Sequence, residues 1–347
     1  MVYKDQKGME IKNIDKSNMR KTILDFPKQF KIGINAAKKV RFKEWSFLTP
    51  PENIIVCGMG GSALVGDIMQ IFLQDKKIDL PLHISRGYKL PHWVDKKDLV
   101  VCTSYSGNTE ETLSSFAEAR KRKLPLIVIT SGGGLAELCQ KNNIPFSKIP
   151  TGYQPRMTLG LQFATLIEIL INCKIVKELE NIGSLEKKLK PESLEDNGRK
   201  IAKKLKNKIP LIYASDRFKS LAKIWKIKFN ENSKVPAFFN YFPELNHNEM
   251  VGYTNASKTM KDFQVIILRD RADGKKINER MNLTASILKN KGVGVDLIEI
   301  KGRSILEKIF SNLILSDWVS YYLAISQKID PTPVGIIENF KKKLKKK

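Results

Sequence analysis

A glycine-rich turn follows the first strongly apolar run of the chain and leads into a helical pattern. Within GMGGSALVGD (58–67), Gly60, Gly61 and Ser62 stand where that helix begins. The first N–H groups of a helix have no partner within the helix, and the helix dipole adds positive character there. A serine hydroxyl beside such groups completes a site for an anion, so the turn predicts binding of a phosphate.

The same turn meets the loose fingerprint for a dinucleotide, G-x-G-x-x-G/A, through Gly58, Gly60 and Ala63. A nicotinamide dinucleotide would also require an acidic residue at the end of the next strand, where it binds a ribose hydroxyl. That strand ends in HISRGY, with Arg86 where the acid should stand. The pattern therefore favours a smaller phosphate ligand over a dinucleotide.

A second turn of this kind is VCTSYSGNT (101–109), in which Ser104, Ser106 and Thr109 surround Gly107. Capping of the following helix by Thr109 would explain one of these hydroxyls but neither the other two nor the glycine. Turns that follow neighbouring parallel strands meet at one edge of the sheet. The two turns together therefore predict a monophosphate held between them by Gly60, Gly61, Ser62, Ser104, Ser106 and Thr109.

The elements around these turns alternate between strands and helices. Apolar runs predict strands over 53–57, 81–86, 98–105 and 124–131, and later over 209–215, 236–242, 263–270 and 293–300. Helical patterns separate most of these runs, and a single long helix is expected over 157–182. This alternation predicts an α/β protein with mainly parallel sheets flanked by helices.

A polar stretch with a proline, GSLEKKLKPESLEDNGRK (183–200), separates the two series of strands. We therefore expect an N-terminal domain over 1–183, with a helical lead-in over 1–35, and a C-terminal domain over 184–347 that ends in a basic tail. The two halves are alike in plan but share no obvious sequence repeat.

Composition narrows the class of protein. The chain has 347 residues and a net charge of +25, but its lysines are spread along the chain except in the tail KKKLKKK. This distribution favours solvated lysine-rich surfaces and an anionic substrate over nucleic acid. No apolar run is long enough to span a membrane, and the start lacks a secretory pattern. Four widely spaced cysteines indicate reduced thiols in the cytoplasm and no metal site.

The motifs S-x-S-G-x-T and G-x-G-G-S, each after a strand, resemble those of the sugar isomerase (SIS) domain. Three further stretches resemble the bifunctional phosphoglucose/phosphomannose isomerase family: YQPR (153–156), NENSKVPAFFNYFPELNHNEMVGY (230–253) and DPTPVGIIENFK (330–341). The resemblance covers roughly residues 50 to 341 in the same order.

The resemblance implies two SIS-type subdomains in a protomer that forms a homodimer. It implies an aldose–ketose isomerase that interconverts glucose 6-phosphate and mannose 6-phosphate with fructose 6-phosphate, with no metal and no cofactor. The alternative is a phosphosugar-binding regulator built on the same domains but without isomerase activity. A regulator would need the phosphate site but no proton-transfer residues in the second half.

Isomerisation of such sugars moves a proton between C2 and C1, and one carboxylate can do this through a cis-enediol. Glu231 matches the catalytic glutamate of the family. Opening of the sugar ring needs a second proton carrier, and histidine has a pKa near neutrality. His247, 16 positions further along, matches the family histidine, which is supplied across the dimer interface.

Three further residues are carried over from the family. Arg156 in YQPR matches the active-site arginine, whose fixed charge would stabilise the enediolate. Lys341 is the candidate for the lysine that contacts the sugar oxygens, although the neighbouring Lys342 and Lys343 remain alternatives. Thr332 is a weaker candidate for a contact that allows both C2 epimers to bind.

Overall fold

The computed structural model describes residues 11–40, 50–255 and 258–344. In chain order the helices are α1 (Met19–Leu24), α2 (Lys28–Lys38), α3 (Gly60–Asp75), α4 (Glu110–Lys121), α5 (Gly133–Lys141), α6 (Leu159–Asn172), α7 (Leu185–Lys188), α8 (Pro191–Lys204), α9 (Lys219–Lys228), α10 (Lys275–Asn290), α11 (Ile305–Ser326) and α12 (Gly335–Leu344). The strands are β1 (Ile54–Cys57), β2 (Leu82–Ser85), β3 (Leu99–Ser104), β4 (Leu126–Thr130), β5 (Phe146–Lys148), β6 (Ile209–Ser215), β7 (Phe238–Phe242), β8 (Phe263–Arg269) and β9 (Gly294–Glu299). None of the helices in these ranges is both long and apolar enough to cross a bilayer.

The chain divides into two compact units. Within the described residues, the N-terminal unit comprises 25–189 and 304–307, and the C-terminal unit comprises 11–24, 190–303 and 308–344. The division near 189/190 lies six residues beyond the predicted one at 183/184. Residues 11–24 belong to the C-terminal unit, whereas the sequence predicts them in the N-terminal domain. Their place follows from Asp15, whose carboxylate accepts a hydrogen bond from the Tyr321 hydroxyl at 3.2 Å.

The N-terminal unit is built on a five-stranded parallel sheet with the order β2-β1-β3-β4-β5. The three central strands are buried along their whole length, and they are apolar except for the polar residues at the carboxyl ends of β3 and β4. A core cluster joins one face of the sheet to α4 and α5 through Phe116 and Leu135. Helices α3 and α6 pack together, with the Phe72 and Phe163 rings edge to face at 5.9 Å. Burial of both faces explains why the strands are continuous apolar runs.

The C-terminal unit repeats this plan with four parallel strands in the order β7-β6-β8-β9. Met281 and Leu288 of α10 cover one face through a core cluster with Val265. Trp225 of α9 is fully buried, and its indole N–H donates to the Asn312 side chain of α11 at 2.7 Å. The predicted α/β class with two parallel sheets is confirmed, and so are all eight predicted strands. The short strand β5 was not predicted.

The helix expected over 157–182 is shorter than predicted. It ends at Asn172 because Lys174 adopts the left-handed conformation, with φ 59°. The Ile175 N–H then donates back to the Leu170 carbonyl, and the Lys174 N–H to that of Ile171, both at 2.9 Å. This pattern is a Schellman motif, which closes a helix without glycine at the price of local strain. The polar stretch expected as a boundary, 183–200, largely forms α7 and α8.

Gly198 of α8 packs directly against Trp318 of α11. A Cβ at this position would lie 2.4 Å from the Trp318 Cβ. Exchange of glycine for alanine within a helix normally stabilises it by about 1 kcal/mol. Here the added methyl group would push α8 away from α11, so the usual sign is reversed.

We therefore expect Gly198→Ala to lower the free energy of unfolding by about 1–3 kcal/mol. The neighbouring Asn197→Ala is the matched control, because Asn197 is exposed on the same helix. Urea denaturation followed by tryptophan fluorescence measures both variants. A Gly198→Ala protein as stable as the parent would contradict the close packing of α8 on α11.

Candidate active site

The turn between β1 and α3 is shaped by three glycines. Gly60 has φ 50°, a conformation that glycine adopts without strain. A Cβ on Gly58 would lie 2.8 Å from the Thr103 carbonyl, and one on Gly61 would lie 2.6 Å from the Arg156 backbone nitrogen. The side chain of Met59, the N-cap residue of α3, makes no capping bond. The turn thus keeps backbone N–H groups available at a crowded strand end.

In the turn between β3 and α4, the hydroxyls bond to one another and to the backbone of the turn. The Ser104 and Thr109 hydroxyls are 3.0 Å apart, and Ser104 Oγ also accepts from the Gly107 N–H at 3.1 Å. Thr109 is the N-cap of α4, but its side chain makes no capping bond. Helix capping therefore does not account for Thr109. Ser106 is exposed on the outside of the turn.

The two turns are joined directly, as the sequence predicts. Ser62 Oγ, in the first turn of α3, accepts from the Tyr105 N–H at 2.9 Å. Tyr105 also holds the segment that leads to Arg156, because its hydroxyl donates to the Pro150 carbonyl at 3.0 Å and accepts from the Tyr153 N–H at 2.9 Å. Burial raises the pKa of Tyr105, so the phenol stays protonated as this arrangement requires.

A third glycine turn, at the end of β4, supports the second one from behind. A Cβ on Gly107 would lie 1.7 Å from the Gly132 carbonyl, and Gly107 has φ 70°. The Asn108 side chain accepts from the Gly134 N–H at 2.9 Å, which satisfies one of the first N–H groups of α5. We call the turns at 58–62 and 104–109, with this support, the phosphate cradle.

Arg156 lies beside the phosphate cradle in the short 3₁₀ turn Pro155–Met157. It is only 1% exposed, and its guanidinium donates to the Gln154 side chain at 3.3 Å. A surface arginine at a helix start is thereby ruled out. Its backbone nitrogen packs against Gly61, so the cradle and Arg156 are built together within the N-terminal unit.

Glu231 belongs to the C-terminal unit, where α9 changes into the π-helical turn Phe229–Ser233. π-helical turns are rare and occur frequently at functional sites. Lys234 ends the turn in the left-handed conformation, and its ammonium group donates to the carbonyls of Glu231 at 2.8 Å and Pro331 at 2.9 Å. Glu231 is half-buried. Lys234 thus joins the turn that carries Glu231 to the segment that carries Thr332.

Buried contacts with α11 fix the same turn from the other side. The Lys228 ammonium lies 2.6 Å from an Asp317 carboxylate oxygen, and both side chains are 1% exposed. The Asn232 amide donates to the Ser320 hydroxyl at 2.9 Å. The Ser233 hydroxyl donates to the Ser320 carbonyl at 2.8 Å. Together with the bonds of Lys234, these contacts keep the Glu231 backbone in one place.

His247 lies on a different element of the C-terminal unit, after β7 and the 3₁₀ turn Glu244–Asn246. Its N–H donates to the Glu244 carbonyl at 2.9 Å, and its side chain is exposed. Thr332 is half-buried before α12, with its N–H bonded to the Asp330 carboxylate at 3.0 Å. Lys341 is exposed on α12, as are Lys342 and Lys343.

The predicted residues therefore fall into two groups. The phosphate cradle and Arg156 are brought together in the N-terminal unit. In the C-terminal unit, Glu231 and Thr332 are linked through Lys234, whereas His247 and Lys341 stand on separate elements. Within the described ranges, no group of three or more His, Cys, Asp or Glu side chains could hold a metal ion.

Sequence reasoning missed the residues that hold these groups in place. Tyr105 is the central residue of the S-x-S motif, and this position was the sign in the sequence that it could help to hold the turn. Lys228 and Asp317 are 89 positions apart. The sign in the sequence that they could pair was that each is a charged residue on the apolar face of its helix. Nothing in the sequence indicates that Lys234 binds a carbonyl almost 100 positions away.

Two family models match the chain. Residues 194–344 match the bacterial phospho-glucose isomerase C-terminal SIS domain, and residues 47–146 match the SIS domain. The matches coincide with the C-terminal sheet and with the sheet that carries the phosphate cradle.

Curated and solved relatives cover nearly the whole chain. A bifunctional phosphoglucose/phosphomannose isomerase of Caldicellulosiruptor bescii is 36% identical over 94% of this chain and 98% of its own length. A D-glucosamine-6-phosphate 4-epimerase of Sulfolobus acidocaldarius is 31% identical over 84% of this chain and 89% of its own length. The solved C-terminal domain of a glucosamine-fructose-6-phosphate aminotransferase from Francisella tularensis has a TM-score of 0.73 at 15% identity, over 91% of this chain and 98% of that one, which shows a shared fold.

The chain thus matches these relatives over most of their length. It carries the motifs at the two strand ends, the π-helical turn with Glu231 and the loop with His247. The chain belongs to the bifunctional phosphoglucose/phosphomannose isomerase family.

Proposed function

We propose that this chain is a phosphosugar isomerase that interconverts glucose 6-phosphate and mannose 6-phosphate with fructose 6-phosphate through a cis-enediol, without a metal ion or cofactor. The observation that carries the proposal is the π-helical turn with Glu231. A half-buried carboxylate on a turn held by buried contacts has the fixed position that proton transfer between two adjacent carbons requires.

The phosphate cradle binds the end of the sugar that does not react. Its ligands are backbone N–H groups and hydroxyls, which hold a phosphate without placing a mobile cation near the reacting carbons. The direct bond between Ser62 and the Tyr105 N–H supports a single site formed by both turns.

Proton transfer begins when the Glu231 carboxylate removes the proton from C2 of the open-chain aldose, and the carbonyl oxygen at C1 gains negative charge. The buried Arg156 guanidinium stabilises this charge. The proton on O2 passes to O1, Glu231 returns its proton to C1, and the C2–O2 double bond of the ketose forms. The enediol is planar at C2, so a sugar that turns the other face of C2 towards the Glu231 carboxylate yields the other epimer.

His247 opens the sugar ring by carrying the proton from O1 to the ring oxygen, a role that suits an imidazole near neutral pH. Lys341 contacts the sugar oxygens, and Thr332 contributes to acceptance of both epimers. The reaction takes place in the cytoplasm, which accords with four buried cysteines that all carry free thiols.

We further propose a homodimer in which His247 acts in the site of the partner subunit. Exposed apolar side chains on the unit that carries His247 support this arrangement. Phe238 and Phe239 lie on β7, the edge strand of its sheet, and are 57% and 39% exposed, and Val251 is 70% exposed. Apolar side chains on a sheet edge are typical of a surface that another chain covers.

A coupled assay tests the isomerase. Purified protein with EDTA present is supplied with glucose 6-phosphate or mannose 6-phosphate, and fructose 6-phosphate is measured. A parallel sample with glucosamine 6-phosphate is examined for the C4 epimer. Absence of turnover with both hexose phosphates would overturn the isomerase and favour a phosphosugar-binding regulator, and formation of the C4 epimer alone would favour an epimerase.

In this assay, Glu231→Gln removes the base while it keeps the size of the side chain. We expect activity to fall by about 10²–10⁴-fold with little change in binding of fructose 6-phosphate. Glu279→Gln, an exposed acid on α10, is the matched control and keeps parental activity. Retention of more than about a tenth of the activity by Glu231→Gln would show that another group is the base.

Gly107→Ala tests the phosphate cradle. Gly107 has a left-handed backbone conformation, and an added methyl group would collide with the Gly132 carbonyl. The turn would therefore have to move, and its N–H groups would no longer point at the phosphate. Hydrogen bonds to a charged group contribute about 1.5–3 kcal/mol each, so we expect KM to rise at least about tenfold. Gly87→Ala is the control, because space surrounds Gly87. An unchanged KM, together with unchanged inhibition by inorganic phosphate, would place the phosphate elsewhere.

Mixed dimers test whether His247 acts across the interface. Glu231→Gln and His247→Ala proteins, each inactive alone, are unfolded and refolded together. If His247 serves the partner's site, each mixed dimer contains one site with both native residues, so we expect activity to return to about a quarter of the parental value. No recovery, with mixed dimers demonstrated by differently tagged chains, would mean that Glu231 and His247 of one chain serve the same site.

A further inference from the structure

Glu249 lies two residues after His247, and its side chain turns away from solvent towards the sheet of the C-terminal unit. One carboxylate oxygen accepts from the Tyr213 hydroxyl of β6. The other accepts from the Asn240 amide of β7 at 2.5 Å. One acid thereby binds two adjacent strands from the loop that follows the second of them.

Two buried tyrosine side chains form a hydrogen-bonded pair beside this carboxylate. Tyr213 is 1% exposed and Tyr253 is 8% exposed, and their hydroxyls are 2.7 Å apart. Burial, with Tyr253 and Glu249 as further causes, raises the pKa of Tyr213 far above its usual value, so the phenol stays protonated and donates. A charged acceptor makes such hydrogen bonds about twice as strong as neutral ones.

The residue before His247 is anchored as well. The Asn246 amide donates to the Thr284 hydroxyl of α10 at 2.9 Å. Asn246 therefore fixes one side of His247 to α10, and Glu249 fixes the other side to the sheet. His247 itself remains exposed between these two anchors.

We propose that Glu249 is a positioning residue for His247, and that its bonds to Tyr213 and Asn240 hold the loop so that the imidazole meets the sugar ring oxygen. This inference rests on the ring-opening role of His247 in the proposed function. Glu249 does not touch the substrate in this scheme. It acts only through the backbone that it shares with His247.

Ring opening can be measured apart from isomerisation. In the step, a proton leaves O1, the bond between C1 and the ring oxygen breaks, a C1–O1 double bond forms, and the ring oxygen gains a proton. Closure on the other face of C1 gives the other anomer. Enzyme-catalysed exchange between the two anomers of glucose 6-phosphate, followed by NMR exchange spectroscopy, therefore reports on His247 without requiring Glu231.

The experiment compares Glu249→Ala, Glu249→Gln, Tyr213→Phe and His247→Ala, each combined with Glu231→Gln so that isomerisation does not consume the substrate. A displacement of about 1 Å at a reacting group can lower a rate by about 10²-fold. We expect Glu249→Ala to slow anomer exchange at least about tenfold and Tyr213→Phe to slow it several-fold. Binding of fructose 6-phosphate should change less than about threefold, because the phosphate cradle is untouched.

Glu244→Gln is the matched control. Glu244 is an exposed acid on the same loop, three positions before His247, and it accepts from the Asn248 amide at 2.6 Å. We expect it to keep anomer exchange within about twofold of the reference. If thermal melting shows that Glu249→Ala does not fold, Glu249→Gln and Tyr213→Phe decide the question.

The outcomes separate this inference from the proposed function. Slow exchange in His247→Ala but reference exchange in folded Glu249→Ala, Glu249→Gln and Tyr213→Phe overturns the positioning role alone. Reference exchange in His247→Ala overturns the ring-opening role of His247, and this inference with it. Loss of phosphosugar binding in the Glu249 variants, in proportion to the loss of exchange, would also contradict positioning, since it would indicate general damage to the protein.

Discussion

The buried pair of Lys228 and Asp317 is the constraint on which the candidate site in the C-terminal unit depends. Removal of two charges from water is unfavourable by several kcal/mol for each ion, and their attraction offsets this only in good geometry. At 2.6 Å and 1% exposure, the pair tolerates little separation of α9 from α11. Loss of either partner would leave a buried charge and would destabilise the unit by about 3–5 kcal/mol. Glu231 lies three residues beyond Lys228, in the π-helical turn that follows α9.

The two units position their candidate site residues by different means. Glu231 must be rigid although it lies at a helix end, where backbone groups lack partners. Its turn is fixed by the Asp317 carboxylate and the Ser320 hydroxyl and carbonyl of α11, and by the Lys234 ammonium. The phosphate cradle depends instead on tight backbone turns. Glycines allow these turns at Gly60 and Gly107, and the Ser104 hydroxyl bonds to the Gly107 N–H and to the Thr109 hydroxyl.

Local pattern made much of this fold and site predictable. The strands were found because burial on both faces makes each one a continuous apolar run, and the turns because glycine and hydroxyls have a physical purpose at helix starts. The end of α6 at Asn172 could not be found, since a lysine in the left-handed conformation replaces the usual glycine. The partners of Glu231 were equally hidden. Lys228 meets Asp317 only after the chain has folded, and no local pattern encodes a pair across 89 positions.

The two sheets share a strand order, but the groups at their carboxyl edges differ. The place between β6 and β8 corresponds to the place between β1 and β3, where the cradle lies. In the second sheet, the carboxyl edge is occupied by its own charges. Asp270 binds the Lys308 ammonium at 2.7 Å and lies 3.5 Å from the Arg217 guanidinium.

Asp273 lies 3.5 Å from the same guanidinium, and burial raises the pKa of its carboxyl group. Carboxylates of the chain thus take the position of the anion. These paired charges distinguish the second sheet from the first, where the proposed phosphate site lies. Glu231 and His247 lie elsewhere in this unit, after the end of α9 and in the loop after β7. Internal neutralisation of one crevice is therefore consistent with one phosphate-binding site and one set of proton-transfer groups in a chain that contains two copies of the same plan.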